Sequence, residues 1–185
     1  LKLDPEYAQM MLQLVEGSEI PVNLSKLSFQ LSRIESVEYR IKLLHYFGGV
    51  NEPKIPLIVA RFLDDSNKVV ILEALKTLGR MQFNYDVSVL LPYSQSMSGI
   101  EHEQVMEIIG TRANAELVPH LSAYLNGSSE QLNEFFADIV ATMSDRKNFE
   151  KFLRRLMLEE KPAQQHAIDC IKKFANKNLS RIAHE

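Results

Sequence analysis

Five histidines, one cysteine and a set of closely spaced carboxylates are the residues best suited to chemistry in this chain. His45, His102, His120, His166 and His184 each lack a second histidine three or four residues away. That is the spacing that would put two imidazoles on one helix face around a metal. Glu101-His102-Glu103 brings both ligand types together. On a helix, however, adjacent side chains point about 100° apart and cannot share an ion. Glu103 and Glu107 share a face at i,i+4, but a di-iron site also needs a Glu-x-x-His pair. Cys170 falls with Ala167, Ile171 and Phe174 on an apolar stripe and reads as a buried, inert thiol. His120 interrupts an apolar column and reads as a hydrogen-bonded core or edge histidine. The sequence has no G-x-x-x-x-G-K-S/T or G-x-G-x-x-G loop, no H-E-x-x-H and no G-x-S-x-G. No catalytic residue, metal or cofactor is assigned, and the chain is expected not to be an enzyme.

Composition points the same way. The 185 residues are 45% hydrophobic and 24% charged, which suits one folded domain or a short repeat array rather than a disordered chain. One cysteine excludes an intrachain disulfide and a Cys-rich zinc site. No apolar run approaches the roughly 18 residues a membrane span needs. A net charge of -3 argues against nucleic acid as the partner. The charge is uneven: residues 1–80 are neutral, 81–144 carry -7 and 145–185 carry +4. The acidic middle can attract a basic partner. The basic cluster Arg146, Lys147, Lys151, Arg154 and Arg155 can touch phosphate or anionic lipid, although no aromatic stacking platform accompanies it. The chain begins at Leu1 rather than Met and shows no signal peptide, so it is read as a piece of a longer protein. The expected location is the cytoplasm, or the cytoplasmic part of a membrane-anchored protein. Membrane contact is expected only through an anchor in the parent chain.

The elements that must position these residues repeat. Gly17, Gly48, Gly79 and Gly110 stand at i, i+31, i+62 and i+93, and Ala141 continues the series. Leu44, Leu75, Met106 and Ala137 share a register, as do Phe47, Leu78, Ile109 and Val140, and Leu43, Ala74, Val105 and Phe136. Upstream, Leu31, Phe62, Tyr93 and Tyr124 align, as do Leu27, Ile58 and Val89 until His120. Within a unit the apolar columns lie three and four apart, which is a helical period. Each unit predicts two helices, in the clearest case about 53–63 and 66–79. Asp64-Asp65-Ser66-Asn67 supplies turn and N-cap chemistry between them. Ser98 with Glu101, and Ser128 with Gln131, have capping-box spacing. The lattice glycines are expected to close each second helix as left-handed caps. The last unit needs an insertion: Met157 and Leu158 match Tyr124 and Leu125 at i+33 rather than i+31, which puts Pro162 in the first turn of the final helix.

The unit around Leu63, Asp65, Val69, Ala74-Leu75 and Leu78-Gly79 resembles a short bacterial HEAT repeat, with Val70 where the family often has Arg. The other units keep the apolar columns but not the turn signature. The resemblance implies an all-α fold: a right-handed α-α superhelix, a HEAT-like solenoid of about five helix pairs with a period of about 31 residues. The units are a half-unit at 1–17, then 18–49, 50–80, 81–112, 113–144 and 145–185, all in one domain. A two-helix unit cannot bury its apolar stripe alone, so neighbours must cover it.

In such arrays the second helices line the concave face. One exposed ladder there is His45, Lys76, Glu107, Asp138 and Lys172. A second is Lys42, Glu73, Gln104, Phe135 and Asp169, and a third is Gly49, Arg80, Thr111, Thr142 and Asn176. Phe135 lies off the apolar stripe and can act as an aromatic contact anchor. The expected function is a non-catalytic scaffold binding another protein through His45, Lys76, Arg80, Gln104, Glu107, Phe135 and Asp138. Two rival resemblances are weaker. Bilin lyases also use HEAT-like repeats, but no residue here is diagnostic of them. HEAT-like DNA glycosylases present a basic concave face, whereas these ladders are mixed and turn acidic.

Overall fold

The computed structural model describes residues 36–125 and 129–175, the last three as backbone only. The expected half-unit at 1–17, the column positions Leu27 and Leu31, the capping residue Ser128 and Asn176 lie outside the described residues. Every regular element described is helical and none is a strand. In chain order they begin with α1 (Val37–Gly48), α2 (Ile55–Ala60) continued by a 3₁₀ turn at Arg61–Asp64, and α3 (Lys68–Arg80). A 3₁₀ turn at Val87–Leu90 leads into α4 (Leu91–Ser96), followed by α5 (Gly99–Arg112) and a 3₁₀ segment at Val118–Ala123. The last three are α6 (Glu130–Met143), α7 (Arg146–Leu156) and α8 (Lys161–Ala175).

Prolines mark the first turns of four elements. Pro56 and Pro119 stand in the first turns of α2 and of the Val118–Ala123 segment, and Pro92 is the second residue of α4. A proline lacks the N–H that an interior position needs and is tolerated only there. Three of these elements run for six residues, but α8, which also carries a proline at its second position, runs for fifteen, so the prolines fix where the elements start and not how long they run. Pro162 occupies the second position of α8, as its sequence position predicts.

The chain forms two compact units: the first takes residues up to Tyr85 and Ser96–Ile108, the second Asp86–Gln95 and the residues from Ile109 on. In the first unit α1 packs on α3, and α2 with its 3₁₀ extension packs against both. Leu43, Leu44, Phe47, Ile58, Phe62, Ala74, Leu75 and Leu78 are all buried, so the predicted columns are core. Asn67 caps α3 by accepting the Val69 N–H at 2.9 Å, and Asp65 accepts the Asn67 N–H at 2.8 Å. Asp65 also faces Arg40 of α1, Oδ2 to Nε 3.0 Å, with both side chains only about a tenth exposed. This ion pair ties α1 to the turn before α3. At the other end of α3 the buried Tyr85 hydroxyl donates to the Leu78 carbonyl at 3.1 Å, one of the acceptors a helix end leaves open.

In the second unit the Val118–Ala123 segment packs on α7 and α6, and α6 packs on α8. Phe136, Ala137, Val140, Phe152, Leu156 and Ala167 form the core. Tyr124 meets Phe136 edge-on at 6.1 Å, and Phe149 stacks on Phe152 at 6.0 Å. Ser129 caps α6 through the Leu132 N–H at 3.4 Å, and Asp145 caps α7 through the Asn148 N–H at 2.7 Å. That bond, the largest influence on the Asp145 carboxyl, holds it below its usual range.

The lattice glycines do a different job from the one expected. Among the described glycines only Gly99 has a positive φ, at 63°, so Gly48, Gly79 and Gly110 are not left-handed caps. Gly48 ends α1, whose closing turn uses the Gly49 N–H to the Tyr46 carbonyl at 3.0 Å instead. A methyl placed on Gly48 would lie 3.4 Å from Thr77 Cγ2 of α3, and one on Gly79 3.6 Å from Ile108 Cγ1 of α5. One on Gly110 would lie 3.4 Å from Phe135 Cζ of α6. The recurring glycines are the places where one second helix approaches the next.

Candidate functional site

The exposed ladders follow from the same period. On each long helix the buried columns turn inward and the intervening positions turn out. His45, Lys76, Glu107, Asp138 and Lys172 are all exposed. In the first unit the structure joins two of them through a residue of the second ladder. His45 Nε2 lies 3.0 Å from Glu73 Oε1, reaching from α1 to α3, and Lys76 Nζ donates to Glu73 Oε2 at 3.4 Å. The Glu73 side chain is 14% exposed, against 60% for His45 and 47% for Lys76. Burial, the largest influence, works to raise the Glu73 pKa; the hydrogen bonds and charges of His45 and Lys76 together outweigh it and leave it lowered. The result is a fixed carboxylate between two exposed cationic or hydrogen-bonding groups. Arg80 lies exposed at the end of α3. On α5, Glu107 is exposed and Gln104 half-buried, and the buried Gln104 Oε1 has no hydrogen-bond partner among the described residues. Elsewhere in this unit the exposed Lys68 reaches Glu101 at 3.5 Å.

In the second unit Asp138 is exposed on α6. Phe135, the expected aromatic anchor, is half-buried; its ring lies against Gly110 and 5.6 Å from the Phe136 ring. It fills the seat that the glycine leaves on α5, so much of the ring is used in packing.

Two arrangements in the second unit were not visible in the sequence. A cleft of about 330 Å³ is lined by His120, Ser122, Tyr124, Arg155, Leu158 and Glu159, with Ser88, Leu91 and Ala123 completing it. The Arg155 guanidinium is anchored by donating Nη1–H to the Pro119 carbonyl at 3.1 Å. Burial raises the Tyr124 pKa, which keeps its hydroxyl protonated and a donor at neutral pH. His120, where the apolar column breaks, is half-buried on this cleft rather than enclosed in the core. The break in the column was the available signal. Cys170, read as a buried thiol, is half-buried instead, with Sγ 3.4 Å from His166 Nε2 one turn earlier. Their i,i+4 spacing is the signal, one that a search for paired histidines passes over.

No cluster of three or more metal-ligating side chains occurs among the described residues, and none of their helices is long and apolar enough to cross a membrane. Comparison of the chain with protein-family models, with curated proteins and with solved structures finds no match to any of them.

Proposed function

We propose that the chain is a non-catalytic HEAT-like repeat scaffold that binds another protein on the face built by its second helices. The observation that carries this reading is the His45–Glu73–Lys76 triad, where exposed positions of one lattice column on two successive second helices are joined through Glu73 of the neighbouring column. A solvated helix face ordinarily leaves long charged side chains mobile. Here a largely buried carboxylate holds two exposed groups in place, so part of the ordering cost of an interface is met before binding. Two other features support the repeat. The columns at Leu43, Leu44 and Phe47 are core again at Ala74, Leu75 and Leu78. Second helices also pack on second helices, α1 on α3 in one unit and α6 on α8 in the other. Stacked in this way, neighbours cover each other's apolar stripes, as a HEAT-like solenoid requires. His45, Lys76, Arg80, Gln104 and Glu107 of the first unit are the proposed contact residues.

Site-directed photocrosslinking in the parent cell tests this. A photoreactive residue at Lys76 or Glu107 is expected to capture the same protein. One at the exposed Arg61, on a first helix, is expected to capture none. Equal capture from Arg61, or different proteins from Lys76 and Glu107, would contradict the reading.

A further inference from the structure

The two most exposed large hydrophobic side chains among the described residues are adjacent: Leu158 at 86% and Met157 at 76%. Their counterparts one unit earlier are Leu125, fully buried, and Tyr124, half-buried. Side chains of core character therefore stand in solvent at the turn after α7. One helical turn before Met157, Leu153 is exposed as well, at 41%.

The surroundings of this apolar tip are basic. α7 carries Arg146, Lys147, Lys151, Arg154 and Arg155 against a single acid, Glu150, and all five basic residues are exposed. Arg146 pairs with Glu150 at 3.4 Å, Lys151 reaches Asn148 at 3.5 Å, and Arg155 is anchored to the Pro119 carbonyl. Lys147 lies close enough to the capping Asp145 to influence its carboxyl. Lys161 follows at the start of α8. The opposing charges in the turn itself are Glu159 and Glu160. The amphipathic character of α7 is high: Asn148, Phe152 and Leu156 are buried on one side, while the basic residues cover the other.

From this juxtaposition we infer that the C-terminal end of α7 is a docking surface for an anionic phospholipid bilayer. Leu153, Met157 and Leu158 enter the boundary between headgroups and acyl chains, and Lys147, Lys151, Arg154 and Arg155 pair with the phosphates. The occupant is chosen by the combination. A nucleic-acid backbone would use the basic residues but gain nothing from exposed Met and Leu, and no aromatic platform is present to stack a base. A bilayer uses both, as interfacial helices do. The adjoining cleft adds Arg155, His120, Ser88 and Tyr124 as donors for one headgroup, with Glu159 the carboxylate on its edge. The sequence charge agrees: the stretch 145–185, which holds α7, carries +4 where the stretch before it, 81–144, carries -7.

The test is flotation of the whole chain with phosphatidylcholine vesicles, with and without about 30 mol% phosphatidylglycerol, at low and high salt. Two double variants separate the contributions: Lys147→Glu with Arg154→Glu, and Met157→Ser with Leu158→Ser. Arg61→Glu serves as the control. Because these side chains are exposed, each variant is expected to keep the wild-type melting curve. The expected result is binding to anionic vesicles only, weakened by salt. Each double variant is expected to lose about tenfold or more in partitioning, with Arg61→Glu unchanged. Absence of binding to anionic vesicles would overturn the inference. So would full binding by the Met157→Ser, Leu158→Ser variant, which would reduce the surface to diffuse electrostatics. Binding of a polyglutamate peptide without vesicle binding would assign the surface to an acidic protein segment and overturn it equally.

Discussion

Glu73 is the residue on which the proposed binding face turns, and its behaviour with pH is predictable. Its carboxyl titrates below the ordinary range because His45 and Lys76 favour the charged form against burial. A depressed carboxylate contributes stability above its unfolded-state pKa, and that contribution disappears as pH falls through the folded value. Glu73→Gln should therefore be slightly less stable than the wild type at pH 6, by about 0.5 kcal/mol as for other pairs with exposed partners. The gap should close in acid below the normal carboxylate pKa. Urea denaturation at both pH values measures it, and a gap that widened in acid would have the wrong sign. Phe135 makes a second case at this scale. Its ring against Gly110 makes it a packing residue, so Phe135→Ala should cost about 2 kcal/mol in chemical denaturation. A pure contact anchor would cost almost nothing without its partner.

At the scale of elements, the helices and the turn at Asp65 and Asn67 were legible, while the role of the glycines and the long-range ties were not. Spacing of three and four, with columns recurring at i+31, located α1, α3, α5 and α6 because burial demands one apolar stripe per helix. Asp65 and Asn67 were readable as turn and cap because their side chains bond within a few residues. The role of the glycines was not readable, because a glycine near a helix end fits a left-handed cap and an ordinary helical position beside a neighbouring helix equally well. Backbone φ and the nearest neighbour helix distinguish them, and neither is local. The two readings differ in sign under mutation. Gly79 lies in a helix with a negative φ and ordinary room for a methyl, so Gly79→Ala should stabilise by about 0.5–1 kcal/mol. A left-handed cap would be destabilised instead. The Arg40–Asp65 pair was equally hidden, since it joins α1 to a turn in the following helix pair and nearly leaves solvent. Asp65→Ala strands Arg40 and loosens the turn before α3, and should cost about 3 kcal/mol by thermal or chemical unfolding.

Across the described residues, burial at Phe47, Leu78, Ile109 and Val140 falls every 31 positions, as exposure does at His45, Lys76, Glu107 and Asp138. The cleft shows where sequence reading ends: Arg155 meets the Pro119 carbonyl across 36 residues, and only the packing of α7 on the Val118–Ala123 segment brings them together. The ladders, by contrast, needed only the period. The measurement that tests this periodicity most directly is a two-column substitution scan read by unfolding free energy. Aspartate at Phe47, Leu78, Ile109 or Val140, all buried, should cost at least about 3 kcal/mol at every position. Neutral polar substitution, His45→Gln, Lys76→Gln, Glu107→Gln or Asp138→Asn, should change stability by no more than about 0.5 kcal/mol. A tolerated aspartate in the first column, or a large loss in the second, would contradict the repeat and remove the proposed binding face with it.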